Sequence, residues 1–257
     1  MIIYCPVWGR EKITRYCLSR LESLGQIFCV VSEEWSVKMC KERGYLFKLA
    51  TNLPLGMKLN SGLKEIMLLD FDYMMTTGSD NLYDGIPGLY KEYMEAGIDV
   101  MGVDKCIFYN GKESKVVNYS QTIIGAGRII SKRILRRASS RVKVKFTESC
   151  SGNIFSYQKG KEYWLRLDEI NGMRPLIEIL SDTEIILWDE DRNNALDHNS
   201  NQNLIFAGAK NFVIEDKLAV LDLKNGENIW KYEDLPGEVI DNKEIERFCV
   251  PADLMNG

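Results

Sequence analysis

Short apolar runs and amphipathic stretches alternate along the first hundred residues, and that alternation leaves few folds open. Ile2–Val7 reads as a strand, Glu11–Leu24 as a helix with Ile13, Cys17, Leu21 and Leu24 on one stripe, Gln26–Ser32 as a second strand, and Glu33–Arg43 as the next helix. Gly44 is its expected cap, Tyr45–Leu49 a further strand, and Met57–Met67 a helix with Leu59, Leu63, Ile66 and Met67 inward. The run LLDFDYMMTTGSDNL, residues 68–82, is apolar around Asp70 and Asp72 and β-prone at Thr76 and Thr77. It is expected as a strand buried on both faces. The whole pattern predicts an α/β fold: a doubly wound, mostly parallel sheet with helices on both faces and a small C-terminal region.

That central run stops at Gly78-Ser79-Asp80-Asn81. Open α/β sheets take their ligands in the crevice beyond the carboxyl ends of the strands, so a carboxylate at this turn is the first candidate functional group. Its ordinary alternative is capping of the next helix. Further on, Asp84–Ala96 is expected as a helix, Asp99–Val103 and Lys105–Tyr109 as strands, and Asn110-Gly111 as a hairpin turn before Ser114–Tyr119. Ile123–Arg128 reads as a glycine turn leading into a basic helix, Ile130–Ala138. Residues 142–180 are poorly patterned and are expected as an insertion or subdomain. Ile185–Trp188 is a short apolar run, Asp189–Asn203 a polar loop, Phe212–Leu223 two short strands around Glu215-Asp216, and the tail from Tyr232 a polar, partly mobile surface segment.

With 257 residues and 45% hydrophobic content the chain has ample material for one large domain. Its seven cysteines are odd in number and contain no C-x-x-C pair, which points to small buried thiols in a reducing compartment. No basic leader precedes a long apolar stretch, and no window approaches the roughly 18 apolar residues of a membrane span, so a cytoplasmic protein with no span is expected. The net charge of −4 is unevenly spread: no acidic residue lies between Glu113 and Glu148, a window holding nine basic ones. Lys132, Arg133, Arg136 and Arg137 are therefore candidates for a face that tracks nucleic-acid phosphates, against the plainer reading of a solvated helix.

Four patches carry a family resemblance: Pro6-Val7-Trp8-Gly9-Arg10, then Asn52-x-Pro54-Leu55-Gly56-x-Lys58-x-Asn60-x-Gly62, then Gly78-Ser79-Asp80-Asn81, then Gly125-Ala126-Gly127-Arg128. In this order they resemble nucleotide-sugar-dependent glycosyltransferases of the GT-A fold, family-2-like and of small bacterial or phage type. Asp191–Asp197, with Asp222-Leu223-Lys224 and Asn228-Ile229-Trp230, is similar to the C-terminal part of such enzymes. The resemblance implies one domain, 1–257, with a nucleotide-sugar half at 1–104, an acceptor half at 105–231 and a tail at 232–257.

It also implies a nucleotide-sugar donor, most simply a UDP-sugar, a hydroxyl acceptor, and a divalent cation, Mn²⁺ or Mg²⁺, held by carboxylate oxygens. The family places an Asp-x-Asp motif where this chain has Gly78-Ser79-Asp80, so only the second aspartate is present. Asp80 becomes the expected metal ligand, with His198, the single histidine, as a distant second ligand or an acceptor contact. Asp197 becomes the acceptor-side carboxylate and a general base if the reaction inverts configuration. Pro6, Trp8, Arg10, Glu33, Lys58, Asn60 and Asn81 are expected on the donor side, and Gly125, Gly127 and Arg128 against the acceptor. Phage enzymes of this type glycosylate hydroxymethylated pyrimidines, which makes DNA an expected acceptor. Asp70 and Asp72 share one face of the run but come too early for a strand-end metal site, so Asp72 is expected buried against a partner or touching the nucleoside. Gly125-x-Gly127 lacks the context of a dinucleotide-binding turn. Two other readings stand beside this one. A nucleotidyltransferase would carry a glycine-rich basic signature where Pro6–Arg10 stands, and a nucleic-acid-binding α/β module would work through the basic face alone.

Overall fold

The computed structural model describes residues 1–52, 54–119, 122–151, 156–170, 173–192, 196–215, 217–224 and 231–255. Leu53, Asn193-Asn194-Ala195, Asp216 and Asn228-Ile229-Trp230, all part of the readings above, lie outside the described residues.

The N-terminal portion alternates β1 (Ile2–Pro6), α1 (Glu11–Ser19), β2 (Gln26–Val31), α2 (Glu34–Arg43), β3 (Leu46–Leu49), α3 (Leu55–Ile66) and β4 (Tyr73–Thr76). Then come β5 (Asn81–Tyr83), α4 (Ile86–Glu95), β6 (Val100–Val103), the hairpin β7 (Lys105–Tyr109) and β8 (Ser114–Asn118), β9 (Ile129–Ser131) and α5 (Lys132–Ser139). Residues 140–185 contribute β10 (Ser140–Phe146), β11 (Cys150–Ser151), β12 (Ser156–Tyr157), β13 (Glu162–Arg166), β14 (Ile177–Ile179) and β15 (Glu184–Ile185). The chain finishes with α6 (Leu196–Phe206), β16 (Asn211–Ile214), β17 (Val220–Leu223) and β18 (Glu238–Ile240).

The fold is α/β. Its main sheet has seven strands in the order β16-β6-β9-β4-β1-β2-β3. All of its pairings are parallel except those of β9, which runs against both β4 and β6. Both faces are covered, which is why β1 is apolar throughout. Ile3, Cys5 and Val7 pack on one side with Leu18, Leu21 and Met39, while Ile2 and Tyr4 pack on the other with Leu59, Leu63 and Ile66. A second, five-stranded sheet, β18-β8-β7-β17-β5, closes over Ile13, Cys17, Leu221 and Phe248. Strand β10 organises a separate four-stranded sheet with β13, β14 and β15, and this sheet has its own small core of Val142, Val144, Phe146, Leu165 and Ile170.

Three expectations are corrected. The run 68–82 is not one strand: α3 continues to Ile66, and Leu68 N–H and Leu69 N–H still reach back to Glu65 O and Ile66 O. Leu68 is 82% exposed and Asp70 and Asp72 are exposed, so Asp72 is not buried against a partner. Only Tyr73–Thr76 enters the sheet, because the two aspartates cannot be buried on a two-faced strand without partners.

The polar loop at 189–203 contains the start of helix α6, which buries Leu196 and Leu204 and is held by amide side chains as well. Asn201 Nδ2 donates to Ile123 O at 2.6 Å and Asn203 Nδ2 to Leu187 O at 2.8 Å. The tail is packed: β18 pairs with β8, and Ile245, Phe248 and Leu254 join the core beneath the second sheet. Among the described residues no helix is long and apolar enough to cross a membrane.

Candidate functional site

Parallel strands β1 and β4 end on the same edge of the main sheet, and the turns that follow them face each other across a crevice. After β1, Gly9 (φ 58°) and Arg10 (φ 52°) are successive left-handed residues. An arginine in that region is strained by about 1 kcal/mol, so neighbours must hold it there. Gly9 N–H donates to Glu33 Oε2 at 2.7 Å, and Val7 O accepts Lys58 Nζ at 2.5 Å. Arg10 Nη1 meets Asp80 Oδ2 at 2.6 Å, and its Nη2 lies 3.4 Å from Ser79 Oγ. Pro6 lines the crevice, and Trp8 is 45% exposed beside it in sequence.

Lys58 and Asn60 prove to be internal braces. Lys58 is 1% exposed, and besides Val7 it donates to Asn52 Oδ1 at 2.8 Å and Ser32 Oγ at 3.2 Å. Burial pulls its ammonium down to about 8. Asn60 Nδ2 donates to Trp188 O at 2.8 Å, while its Oδ1 accepts from Leu187 and Trp188 N–H. Asn81 is likewise turned inward, its Oδ1 accepting Gly78 N–H at 2.6 Å to close the turn before β5.

Asp80 is joined by a carboxylate that the sequence reading left without a role. Asp222 on β17 lies opposite Asn81 on β5 in the antiparallel ladder, so the two strands bring Asp80 and Asp222 to one wall. Lys224 Nζ stands 2.9 Å from Asp222 Oδ1 and over the Phe108 ring at 5.1 Å. Burial pushes the Asp80 carboxyl up, but Arg10 and Lys224 outweigh it and hold it below the usual carboxylate range. Asp222 goes the other way: burial, reinforced by the Asp80 charge, lifts it to about 7 against the pull of Lys224. A polar residue within the apolar strand Val220–Leu223 was the available signal, since a lone aspartate there has to be buried with a partner.

The opposite wall is the turn at Gly125-Ala126-Gly127 and the start of α6. Gly125 N–H donates to Asp197 Oδ2 at 3.0 Å, and a Cβ on Gly125 would stand 2.0 Å from Asp197 Oδ1, so only glycine admits the carboxylate. Gly127 (φ 77°) lets the chain reverse into β9. Arg128 is fully buried behind this turn, its Nη1 2.5 Å from Asn201 Oδ1 and its Nη2 3.9 Å from Asp197 Oδ1. Burial pulls the guanidinium down and Asp197 pushes back. Asn201, also missed from sequence, thus ties α6 to both the turn and Arg128.

Two cavities meet here. One, of about 300 Å³, lies over the strand ends and is lined by Pro6, Thr77, Asp80, Asn81 and Arg128. The other, of about 540 Å³, opens toward the second sheet. Gly125, Ala126, Asp197 and Asp222 line both. His198 lines only the larger one, with its Nε2 3.0 Å from Gln202 Nε2, so the cavities do not bring it to the Asp80 wall. No group of three or more potential metal ligands occurs among the described residues.

Two of the four basic side chains of helix α5 meet carboxylates from elsewhere in the fold. Arg133 meets Asp99 at 2.6 Å, Arg137 meets Asp168 at 2.9 Å, and Lys132 Nζ donates to Leu69 O at 2.6 Å; Arg136 is exposed.

No protein-family model and no curated protein matches this chain. Among solved structures it is similar to S. aureus TarS 1-349, with 16% identity and a TM-score of 0.47 over 86% of this chain and 60% of that one. A longer S. aureus TarS structure matches with 12% identity and a TM-score of 0.47 over 88% of this chain and 37% of that one. The chain thus spans less than two thirds of either TarS structure. The inositol-1-phosphate CTP transferase from T. maritima matches with 14% identity and a TM-score of 0.44 over 96% of this chain and 94% of that one. Likenesses at this level assign no activity.

Proposed function

We propose that this protein is a transferase that moves a sugar from a nucleotide-sugar, with UDP-sugars the first donors to test, to a hydroxyl acceptor. The observation that carries the reading is the meeting of two cavities over Asp197 and Asp222. Group transfer between two molecules needs two adjoining pockets with the reacting groups at their junction, because holding both partners in place supplies much of the rate. The smaller cavity suits the donor: it lies over the strand ends, and Arg128 is the cation among its described lining residues.

The fit of a divalent cation follows from the same wall. Asp80 and Asp222 are two hard carboxylates close enough that the charge of one raises the other, a repulsion that a cation relieves. These two residues would hold Mg²⁺ or Mn²⁺, whose chemistry is to neutralise charge on the departing diphosphate. Asp197, on the acceptor side of the junction, takes the hydroxyl proton, a role typically contributing about 10²–10⁴-fold. Gly125 N–H and Arg128 hold its carboxylate in place.

A second reading, nucleotidyl transfer, draws support from the same Asp80–Asp222 wall, which would equally serve attack on a nucleoside triphosphate. The product separates the two. Purified protein is incubated with Mg²⁺ or Mn²⁺ and UDP-, GDP- and TDP-sugars, or with nucleoside triphosphates and sugar phosphates. Nucleoside diphosphate release is the expected result, falling at least about 100-fold in Asp80→Ala. Pyrophosphate release instead selects nucleotidyl transfer, and an Asp80→Ala variant as active as the parent removes the site assignment.

A further inference from the structure

The larger cavity has a chemistry unlike that of the donor crevice. Phe108, Val117, Ile123, Ile124, Leu235 and Pro236 line it beside Tyr119, Thr122 and His198, and its carboxylates, Asp197 and Asp222, are shared with the donor side. Lys224 is the only lysine or arginine among the described residues lining it, and that ammonium is already engaged by Asp222 at 2.9 Å and by the Phe108 ring. A polyanionic acceptor would shed water from its phosphates against walls that offer no second cation. The basic helix that might have guided such a polymer is partly answered within the fold, through Arg133 with Asp99 and Arg137 with Asp168. An uncharged apolar body, by contrast, is the match for these walls, and a volume of about 540 Å³ falls in the range of small-molecule sites.

We infer that the acceptor is a small neutral molecule with an apolar or aromatic body and one reactive hydroxyl, its body between the β7–β8 hairpin and the segment at Leu235 and its hydroxyl at Asp197. This rests on the transferase reading above. In the step, the hydroxyl oxygen bonds to the anomeric carbon as the bond from that carbon to the diphosphate oxygen breaks. The bonding pair leaves with the nucleoside diphosphate, and the hydroxyl proton passes to the Asp197 carboxylate.

The test uses the full chain and 2-naphthol, a neutral fluorescent hydroxyaryl probe, titrated at pH 7 in the presence of UDP, GDP or TDP with Mg²⁺. Leu235→Trp and Val117→Phe fill the cavity from two sides without touching the donor wall. Saturable 2-naphthol binding, weakened at least about tenfold in both variants while nucleotide affinity and thermal midpoint hold, is the expected result. Where a variant loses its fold, the other carries the comparison.

Nucleotide binding without 2-naphthol binding, or 2-naphthol binding indifferent to both variants, overturns the inference. So does hydroxymethylated duplex DNA that binds at 150 mM salt and is blocked by Leu235→Trp. Binding of 2-naphthol with no nucleotide bound by any of the three keeps the apolar site and removes the nucleotide-sugar reading instead.

Discussion

Asp222 is the residue whose surroundings most affect behaviour that can be measured. Its carboxyl has an ordinary value of 3.8 and sits near 7 in the folded chain, so the native state binds more protons than the unfolded state between those limits. Stability from this group is therefore present at low pH and is lost as pH rises through about 7. Asp222→Asn removes that loss: the thermal midpoint of the parent should fall relative to the variant as pH goes from 5 to 8. A constant difference across that range would mean that Asp222 is ionised throughout. Asp80 has the opposite sign, since Arg10 and Lys224 hold it down, so its contribution persists at neutral pH and disappears in acid. Sequence alone put Asp80 forward from its place after a strand and Asp197 by resemblance. It named Asp222 only within a patch of resemblance and gave it no role, because the partnership depends on how β17 registers against β5, a pairing across about 140 residues.

At the scale of elements, what could be read was what repeats. The N-terminal strands and helices follow periods of 2 and 3.6 with few interruptions, and the sheet they form was legible from that alternation. Helix α6 was illegible for the complementary reason: its interior face interrupts the apolar Leu196 and Leu204 with Ser200 and Asn201, and hydrogen bonds share with packing the work of holding it. Asn201→Ala strips the buried Arg128 of its 2.5 Å partner and frees Ile123 O, so it should cost about 2–4 kcal/mol, read as a lower urea midpoint with an unchanged slope. Asn60→Ala should be comparable, about 2–3 kcal/mol, because one side chain closes three backbone groups at Leu187 and Trp188. A shift under about 0.5 kcal/mol in either would show that water replaces the amide without loss.

For the whole molecule, the tail and the ligand are the two levers. Ending the chain at Lys231 removes β18 together with the buried Ile245, Phe248 and Leu254, a gross loss of roughly 5 kcal/mol or more. The shortened protein should be unfolded or nearly so at 37 °C by circular dichroism, whereas a mobile tail would leave it intact. Nucleotide with Mg²⁺ at 100 times its dissociation constant should stabilise the parent by about 2.7 kcal/mol and leave Asp80→Ala unmoved in thermal denaturation. Strand β9, antiparallel to its neighbours in the main sheet, also has a consequence for biosynthesis. It is the second neighbour of β4 and follows it by about 55 residues, so at roughly 5–20 residues per second a nascent chain carries β4 unpaired on one side for about 3–11 s. During that interval Met74 and Met75 lie on an open sheet edge next to whatever else is emerging from the ribosome, and the window closes only when Ile129–Ser131 slots in and joins the two halves of the sheet.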